Sequence, residues 1–257
     1  MLSRTPKGHS SRPVLNALLV LEMLADAEGE LTLSEISRRC GLPKATTLRY
    51  LAAFEQAGYV ARAAGDGKYS LGSRIVALSR KFYGSEGLLT IARGKLPELA
   101  KATEETAHIA LLRFPDVVYV DIAESPQRVR AIVPRGEQLP AYCVASGRAI
   151  LSCSDRTLID SILSAGLKPR TKFTIVKPAA FLAELKRVAK QGYAANVGEW
   201  MEDVVGVSAP LFSPDGRAFA AVGVSLPMSR ANLKGIKSLG EIVRSFARGL
   251  STDFGSH

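Results

Sequence analysis

The stretch that decides the fold of this 257-residue chain is Gly41-Leu42-Pro43-Lys44-Ala45-Thr46-Thr47-Leu48-Arg49-Tyr50-Leu51. Proline is favoured in the first turn of a helix, where its missing N–H costs nothing, and glycine suits the tight corner before it. The sequence therefore predicts a helix that begins near Pro43. Its short hydroxyl side chains and long cations suit the major groove of double-stranded DNA, because they can approach closely and reach phosphates or base edges.

Helical periodicity divides the faces of this predicted recognition helix. The residues that we expect to point inward are Leu48, Leu51, Ala52 and Phe54. The residues that we expect to contact DNA are Lys44, Ala45, Thr46, Thr47, Arg49 and Tyr50.

Upstream, Thr32-Leu33-Ser34-Glu35 has the form of a capping box, in which a hydroxyl and a carboxylate satisfy each other's free backbone donors at a helix start. A short helix is predicted from here to Gly41, which gives the order helix, tight turn, helix. Ser34, in the first turn, is a further predicted DNA contact. The alternative to this interpretation is an ordinary helical hairpin, since a motif match needs support from its context.

Two short alternating segments follow, residues 58–62 and 68–71, and a turn that contains glycine separates them. They predict a β-hairpin. Directly after a helix-turn-helix, such a hairpin is the wing of a winged helix, and Arg62 and Lys68 are expected to meet the DNA backbone. The alternative is a hairpin without a DNA contact, but agreement among the three local signals favours the wing.

The chain before these elements divides into an arm and a first helix. Residues 1–11 are basic and rich in Ser, Pro and Gly, which predicts a flexible arm, and the DNA-binding domain is expected over residues 12–72, with Arg12 as a DNA contact. The first helix, residues 14–25, is predicted to be buried. Its inward residues are expected to be Leu15, Leu18, Leu19, Leu21 and Leu24.

This succession of segments resembles the IclR family of bacterial transcriptional regulators. The matching segments are residues 42–51, Tyr69-Ser70-Leu71-Gly72, Leu139-Pro140-Ala141-Tyr142-Cys143-Val144-Ala145-Ser146-Gly147-Arg148-Ala149-Ile150-Leu151, Gly192-Tyr193-Ala194 and Val207-Ser208-Ala209-Pro210-Leu211-Phe212. The resemblance covers nearly the whole chain. It implies an α+β protein with an N-terminal winged helix-turn-helix domain, a linker helix in residues 73–87, a GAF-like effector-binding domain with an antiparallel sheet in residues 88–252, and a tail in residues 253–257.

Patterning predicts the elements of the second domain. Helices are expected at residues 88–106, 146–152, 158–164, 181–190 and 233–250, with a kink or restart at Pro97. Strands are expected at residues 107–114, 117–123, 128–133, 193–197, 205–212 and 218–226.

The family resemblance also implies an effector pocket. Carried onto matching positions, it nominates Ala141, Cys143, Ser146, Gly147, Asn196, Glu199, Gly206, Gly223 and Ser225. Many relatives place two acidic residues after Gly-Tyr-Ala, but here only Glu199 keeps a carboxylate. Glycine at 206 and 223 replaces side chains that hold a small acid in some relatives, so we expect a larger ligand such as an aromatic acid. Packing or turn geometry remains the alternative for Gly206, Gly223 and Cys143.

Composition supports a nucleic-acid partner. With 34 Lys and Arg against 24 Asp and Glu, the formal net charge is +10, which favours polyanions or acidic substrates, although a basic solvated surface would give the same count. The three cysteines are scattered, which predicts neither a disulfide framework nor a zinc site. Without a long apolar run, we expect a cytoplasmic protein with no membrane contact and no cofactor.

A small-molecule enzyme with a basic surface is the competing hypothesis. Catalysis needs a nucleophile with a base, paired carboxylates or metal ligands. Cys143 with His108 is the one conceivable pair, and no third orienting group is evident. A DNA-binding function instead requires two half-sites about one helical turn apart, so a homodimer or, as is common in the family, a dimer of dimers is expected.

Overall fold

The protein is described by a computed structural model that covers residues 12–27, 29–63, 65–83, 86–213 and 215–255. The predicted basic arm, residues 1–11, lies outside the described residues. The chain divides into two compact units, one ending at Ser85 and one beginning at Glu86.

The N-terminal unit is a winged helix. Its elements in chain order are α1 (Arg12–Ala25), α2 (Leu33–Cys40), α3 (Lys44–Gln56), β1 (Val60–Arg62), β2 (Tyr69–Leu71) and α4 (Arg74–Tyr83). Strands β1 and β2 pair antiparallel with Val60 opposite Leu71, and Leu31 forms an isolated bridge to Tyr69. The predicted helices and wing are therefore confirmed.

A small apolar core holds this unit together. Its buried residues come from every element up to β2 and are Val20, Leu24, Leu31, Ile36, Leu51, Val60 and Tyr69. The expected burial of α1 is only partly right. Leu24 is buried, but Leu15 and Leu18 are 41% and 46% exposed, because helical periodicity puts them on a different side of α1 from the buried Val20 and Leu24.

The C-terminal unit is α+β. Its elements are α5 (Glu86–Thr103), β3 (Thr106–Arg113), β4 (Asp116–Ala123), β5 (Gln138–Pro140), α6 (Ala145–Leu151), α7 (Arg156–Ala165), α8 (Pro178–Gln191), β6 (Ala194–Val197), β7 (Val204–Phe212), β8 (Ala218–Pro227) and α9 (Leu233–Gly255), with short 3-10 turns at Ala141–Cys143 and Met228–Arg230. Helix α5 runs through Pro97, which excludes a restart there, and the kink stays a prediction. Helix α9 extends into the predicted tail.

Within the described residues, six strands form one antiparallel sheet in the order β5-β4-β3-β8-β7-β6. The central strands β3, β8 and β7 are joined by long ladders, and the core against one face includes α6 and α8 residues such as Ile150 and Phe181. In this order the first and last strands of the unit, β3 and β8, are neighbours, so side chains from distant parts of the chain can share one space.

One predicted strand is absent from this sheet. Residues 128–133 form no strand, and Val129 and Ile132 are 67% and 83% exposed. The side chain of Arg130 pairs with Glu124, with Nη2 and Oε2 2.7 Å apart. The edge position is taken by β5, which pairs with residues 116–118 of β4. A β-rich composition was insufficient because strand formation depends on an available partner edge.

Candidate functional site

The turn between α2 and α3 is fixed by local hydrogen bonds. The Thr32 N–H and hydroxyl donate to Glu35 Oε2 at 2.8 and 2.7 Å, and the Glu35 N–H donates to Thr32 Oγ1 at 3.3 Å. These bonds, first from the Thr32 backbone, lower the pKa of Glu35. Gly41 ends α2 with a φ of 65°, a left-handed conformation that glycine adopts without strain. The predicted capping box and glycine turn are confirmed.

Helix α3 presents a different face from the one predicted. Thr47 is fully buried and its hydroxyl donates to the Pro43 carbonyl at 3.2 Å, whereas Leu48 is 44% exposed. The two predicted orientations are therefore wrong. Burial follows positions 47 and 51, which lie four residues apart on the core side. Tyr50 is half-buried and packs against the N-terminal core.

The exposed surface of α3 still carries most of the predicted contacts. Lys44, Ala45 and Arg49 are exposed and Thr46 is half-buried. Ala52, predicted to point inward, is exposed as well. Leu48 therefore joins Ala45, Arg49 and Ala52 on one surface, because Leu48, Arg49 and Ala52 follow Ala45 by three, four and seven positions. We call these four residues the α3 face.

The predicted DNA contacts outside α3 lie on α1, α2 and the wing. Arg12 is exposed at the start of α1, and Ser34 is exposed in the first turn of α2. In the wing, the Arg62 guanidinium lies over the Tyr69 ring, 5.5 Å from its centroid. Lys68 Nζ pairs with Asp66 Oδ2 at 2.6 Å, and this carboxylate raises the pKa of Lys68. A phosphate contact by Lys68 must therefore compete with Asp66.

The C-terminal unit contains a cavity whose empty space, including the part open to solvent, is about 520 Å³. It mixes aromatic, apolar and polar groups, as small-molecule sites do. Its lining residues are His108, Tyr119, Ile132, Val133, Glu137, Leu139, Val144, Ala145, Asn196, Trp200, Met201, Val204, Gly206, Ser208 and Ser225.

The polar centre of the cavity is His108 on β3. Its Nε2 lies 3.5 Å from Ser208 Oγ and its Nδ1 lies 3.5 Å from Ser225 Oγ. In the ladder, His108 is opposite Gly223 of β8, and Gly223 is opposite Ser208 of β7. A Cβ atom on Gly223 would overlap Ser208 Oγ, so the glycine leaves the space in which the two side chains meet. Burial lowers the pKa of His108 to about 3, so the imidazole is neutral near pH 7.

Aromatic side chains surround this centre. The Tyr119 ring meets His108 edge-on with centroids 4.9 Å apart, and its hydroxyl lies 3.4 Å from Ser146 Oγ. Burial raises the pKa of Tyr119 to about 12, so its hydroxyl keeps its proton. Trp200 is half-buried, with the Arg170 guanidinium 5.0 Å from its ring centroid. Burial also raises the pKa of the Glu137 carboxyl.

Of the predicted effector contacts, Asn196, Gly206 and Ser225 line the cavity. Ser146 contacts the lining residue Tyr119, and Gly223 leaves the space in which His108 and Ser208 meet. The other predicted contacts, Ala141, Cys143, Gly147 and Glu199, are buried but do not belong to the lining. All nine remain predicted contacts, and the geometry favours the three that line the cavity.

The predicted contacts that lie away from the lining have structural partners. A Cβ atom on Gly147 would overlap the backbone of Ala141, so these two segments pack backbone to backbone. The Cys143 carbonyl accepts a hydrogen bond from Asn196 Nδ2 at 2.8 Å. Burial raises the pKa of the Cys143 thiol to about 12, which disfavours the nucleophilic thiolate.

Glu199 belongs to a buried ion-pair network. Its Oε1 accepts from Arg148 Nη2 at 2.6 Å, and Glu184 Oε1 lies 3.6 Å from Arg148 Nη1. The Glu199 N–H donates to Asn196 Oδ1 at 2.9 Å, which links the network to a lining residue. Burial raises the pKa of Glu199, and the attraction of Arg148 opposes this effect.

The sequence did not predict His108, Tyr119, Trp200 or Ser208 as effector contacts, and it considered His108 only as a catalytic partner of Cys143. Their ring and hydroxyl types were visible, but only the strand order places them around one space. Within the part of the chain that the structure describes, no group of three or more His, Cys, Asp or Glu side chains could hold a metal ion. No helix in that part is long and apolar enough to cross a membrane.

These features define the class of protein: a winged helix-turn-helix DNA-binding unit followed by an α+β unit with a cavity lined by aromatic, apolar and polar groups. Comparison with known proteins gives the family. The chain matches the IclR helix-turn-helix domain over residues 13–64 and the bacterial transcriptional regulator IclR C-terminal domain over residues 81–252. It therefore belongs to the IclR family of bacterial transcriptional regulators, and the enzyme hypothesis falls because this family is non-enzymatic.

Individual relatives agree with this assignment. The chain is 29% identical to the HTH-type transcriptional regulator KdgR of Escherichia coli (strain K12) over 257 residues, which cover 100% of this chain and 97% of that protein. The crystal structure of Thermotoga maritima IclR is similar, with a TM-score of 0.75, 25% identity and coverage of 96% of this chain and 100% of that one. So is an IclR homologue from Microbacterium hydrocarbonoxydans complexed with 4-hydroxybenzoate, with a TM-score of 0.71, 25% identity and coverage of 95% and 100%.

Proposed function

We propose that this protein controls a catabolic or metabolic operon, binding its double-stranded DNA operator through the N-terminal unit and a small organic effector, an aromatic acid, through the cavity of the C-terminal unit. The observation that carries the proposal is the α3 face, where exposed Arg49 stands beside small and apolar side chains on a helix held in a winged helix-turn-helix. An arginine in this setting can bind a guanine edge.

The aromatic lining supports an aromatic effector. Tyr119, Trp200 and His108 provide ring surfaces, and the structure of a relative is complexed with 4-hydroxybenzoate. Gly206 adds room, since a Cβ there would meet only Ala145 Cβ, at 3.5 Å.

The proposed mechanism is a shift between two states of the DNA-binding units. Helix α4 lies at the end of the N-terminal unit, just before the chain enters the effector unit. If the effector binds one state better, it changes the spacing of paired recognition helices. A coupling of about 1 to 3 kcal/mol would change DNA affinity roughly 5- to 150-fold. This mechanism requires a homodimer or a dimer of dimers, acting in the cytoplasm as a repressor or an activator.

The test is binding of the protein to its own upstream DNA across a salt series, with and without a panel of aromatic and aliphatic acids. We expect sequence-selective binding that one acid shifts. Arg49→Ala should weaken specific binding by about 1 to 3 kcal/mol, whereas Lys68→Ala should mainly reduce the salt dependence.

A matched control removes one positive charge from another exposed helix position. Arg248 is exposed on α9, in the effector unit, so Arg248→Ala should bind the operator like the wild type. Equal binding by wild type and Arg49→Ala, or no selectivity for the upstream DNA at any salt concentration, would overturn the proposal.

A further inference from the structure

The side chains of Ser208, His108 and Ser225 form a continuous polar line across three neighbouring strands. The two serine hydroxyls flank the two ring nitrogens, all three residues line the cavity, and His108 is only 1% exposed. We call this line the Ser-His-Ser seat. The proposed regulator needs the cavity to hold an effector, so a ligand chemistry assigned to the seat rests on that proposed function.

The hydrogen-bonding capacity of the seat exceeds what its members use among themselves. A neutral imidazole has one donor and one acceptor nitrogen, and each serine has one hydrogen and two lone pairs. When one serine donates to the ring and the other accepts from it, one end of the line keeps a free hydrogen and the other keeps free lone pairs. Both contacts are 3.5 Å long, at the upper limit for a hydrogen bond, so the hydroxyls are weakly held.

A hydroxyl group can use either end of such a line, because it both donates and accepts. A carboxylate only accepts, so it can use the donating end alone. Among the described residues that line the cavity, no lysine or arginine is present to compensate a buried carboxylate, and the charged lining residue is Glu137. Burying an uncompensated charge is costly, whereas a hydroxyl with a hydrogen-bond partner is readily accommodated.

We infer that His108, acting with Ser208 and Ser225, determines specificity by binding a ring-borne hydroxyl group of the effector, so that the effector is a phenolic compound. The ring would lie among Tyr119 and Trp200, which line the same cavity. A carboxylate elsewhere on the same molecule is compatible with this arrangement where it lies in the part of the cavity that is open to solvent, because water there compensates its charge.

The inference is tested with matched probes, 4-hydroxybenzoate and benzoate, which differ only in the ring hydroxyl. Calorimetric titration of the full-length protein should give about tenfold tighter binding of 4-hydroxybenzoate, the effect of one net hydrogen bond of about 1.4 kcal/mol. His108→Phe keeps an aromatic ring but removes both nitrogens, so the ratio of the affinities for 4-hydroxybenzoate and benzoate should fall to about one. Ser208→Ala and Ser225→Ala should each reduce it, and they provide the same test if His108→Phe fails to fold.

The control is Val133→Ala, which alters an apolar lining residue and should weaken both probes while leaving their ratio unchanged. Equal affinity of the wild type for the two probes, no binding of 4-hydroxybenzoate, or an unchanged ratio in the seat variants would overturn the inference. If the protein prefers 4-hydroxybenzoate but neither probe changes its affinity for operator DNA, the proposed regulatory function is refuted instead. If the protein binds its operator selectively but binds 4-hydroxybenzoate and benzoate equally, only the role of the Ser-His-Ser seat is refuted.

Discussion

His108 on β3 reaches Ser208 on β7, two strands away, because Gly223 on the intervening strand β8 carries no side chain. The glycine thus allows two polar residues that are 100 positions apart in the chain to meet. The missing side chain at Gly223 therefore serves the contact between these two polar groups.

Gly223→Ala should destabilise the C-terminal unit. Its Cβ would overlap Ser208 Oγ, and overpacking of this kind costs about 1 to 3 kcal/mol. Urea unfolding measures the loss. Gly206→Ala is the matched control, because its Cβ would meet only Ala145 Cβ at an ordinary 3.5 Å. The control should retain stability, but it should fill part of the cavity and weaken effector binding. An equal loss of stability in both variants would contradict the steric role of Gly223.

His108 should make the protein less stable in acid. Its pKa falls from 6.5 to about 3 in the folded chain because burial opposes the charged form. Between these values the unfolded chain binds more protons, so stability rises with pH. Lowering the pH from 7 to 5 should therefore cost the wild type about 2 kcal/mol more than His108→Phe.

Unfolding of both proteins at the two pH values checks this expectation. Carboxyl groups titrate in both, so the difference between the proteins isolates the imidazole. An identical loss of stability in wild type and His108→Phe would mean that His108 is protonated as readily in the folded state as in the unfolded one.

Leu48→Ala should weaken operator binding without destabilising the fold. Leu48 is 44% exposed on the α3 face, where an apolar side chain can contact a thymine methyl group. We expect a loss of about 1 kcal/mol in DNA binding and a change in stability within about 0.5 kcal/mol. Leu51→Ala is the control, since Leu51 is fully buried and its truncation should cost about 2 to 5 kcal/mol of stability. Similar unfolding curves for the two variants would show that Leu48 is a core residue after all.

Glu199→Ala should act mainly on stability. The variant removes the partner of buried Arg148 at 2.6 Å, while Glu184 at 3.6 Å and the Ala195 carbonyl at 3.0 Å remain. Breaking a buried pair costs about 3 to 5 kcal/mol, and we expect a loss of about 3 kcal/mol because the charge keeps these partners. The comparison is Glu202→Ala, which removes an exposed carboxylate that pairs with exposed Lys172 at 3.2 Å and should cost at most about 1 kcal/mol. If Glu199→Ala unfolds like the wild type but fails to bind the effector, Glu199 contacts the effector directly, as the family pattern implied.

The two units differ in how far the sequence could predict them. The capping box of Thr32 and Glu35 and the left-handed turn at Gly41 depend on hydrogen bonds within a few residues, so their spacing in the sequence was sufficient. In the effector unit, most strands and helices followed from periodicity, but the β-rich residues 128–133 did not join the sheet. The edge beside β4 is occupied by β5 instead, because pairing depends on which segments the chain brings side by side.

The sequence by itself determined most of the elements, their order and the resemblance to the family, because helix caps, turns and apolar periodicity are local properties. Tertiary structure decided which face each element buries and which polar groups share a cavity. Thr47 and Leu48 are neighbours with opposite environments because packing against α1 and α2 selects one side of α3. His108, Ser208 and Ser225 form one site only because antiparallel pairing aligns three distant segments, and no spacing in the chain encodes that register by itself.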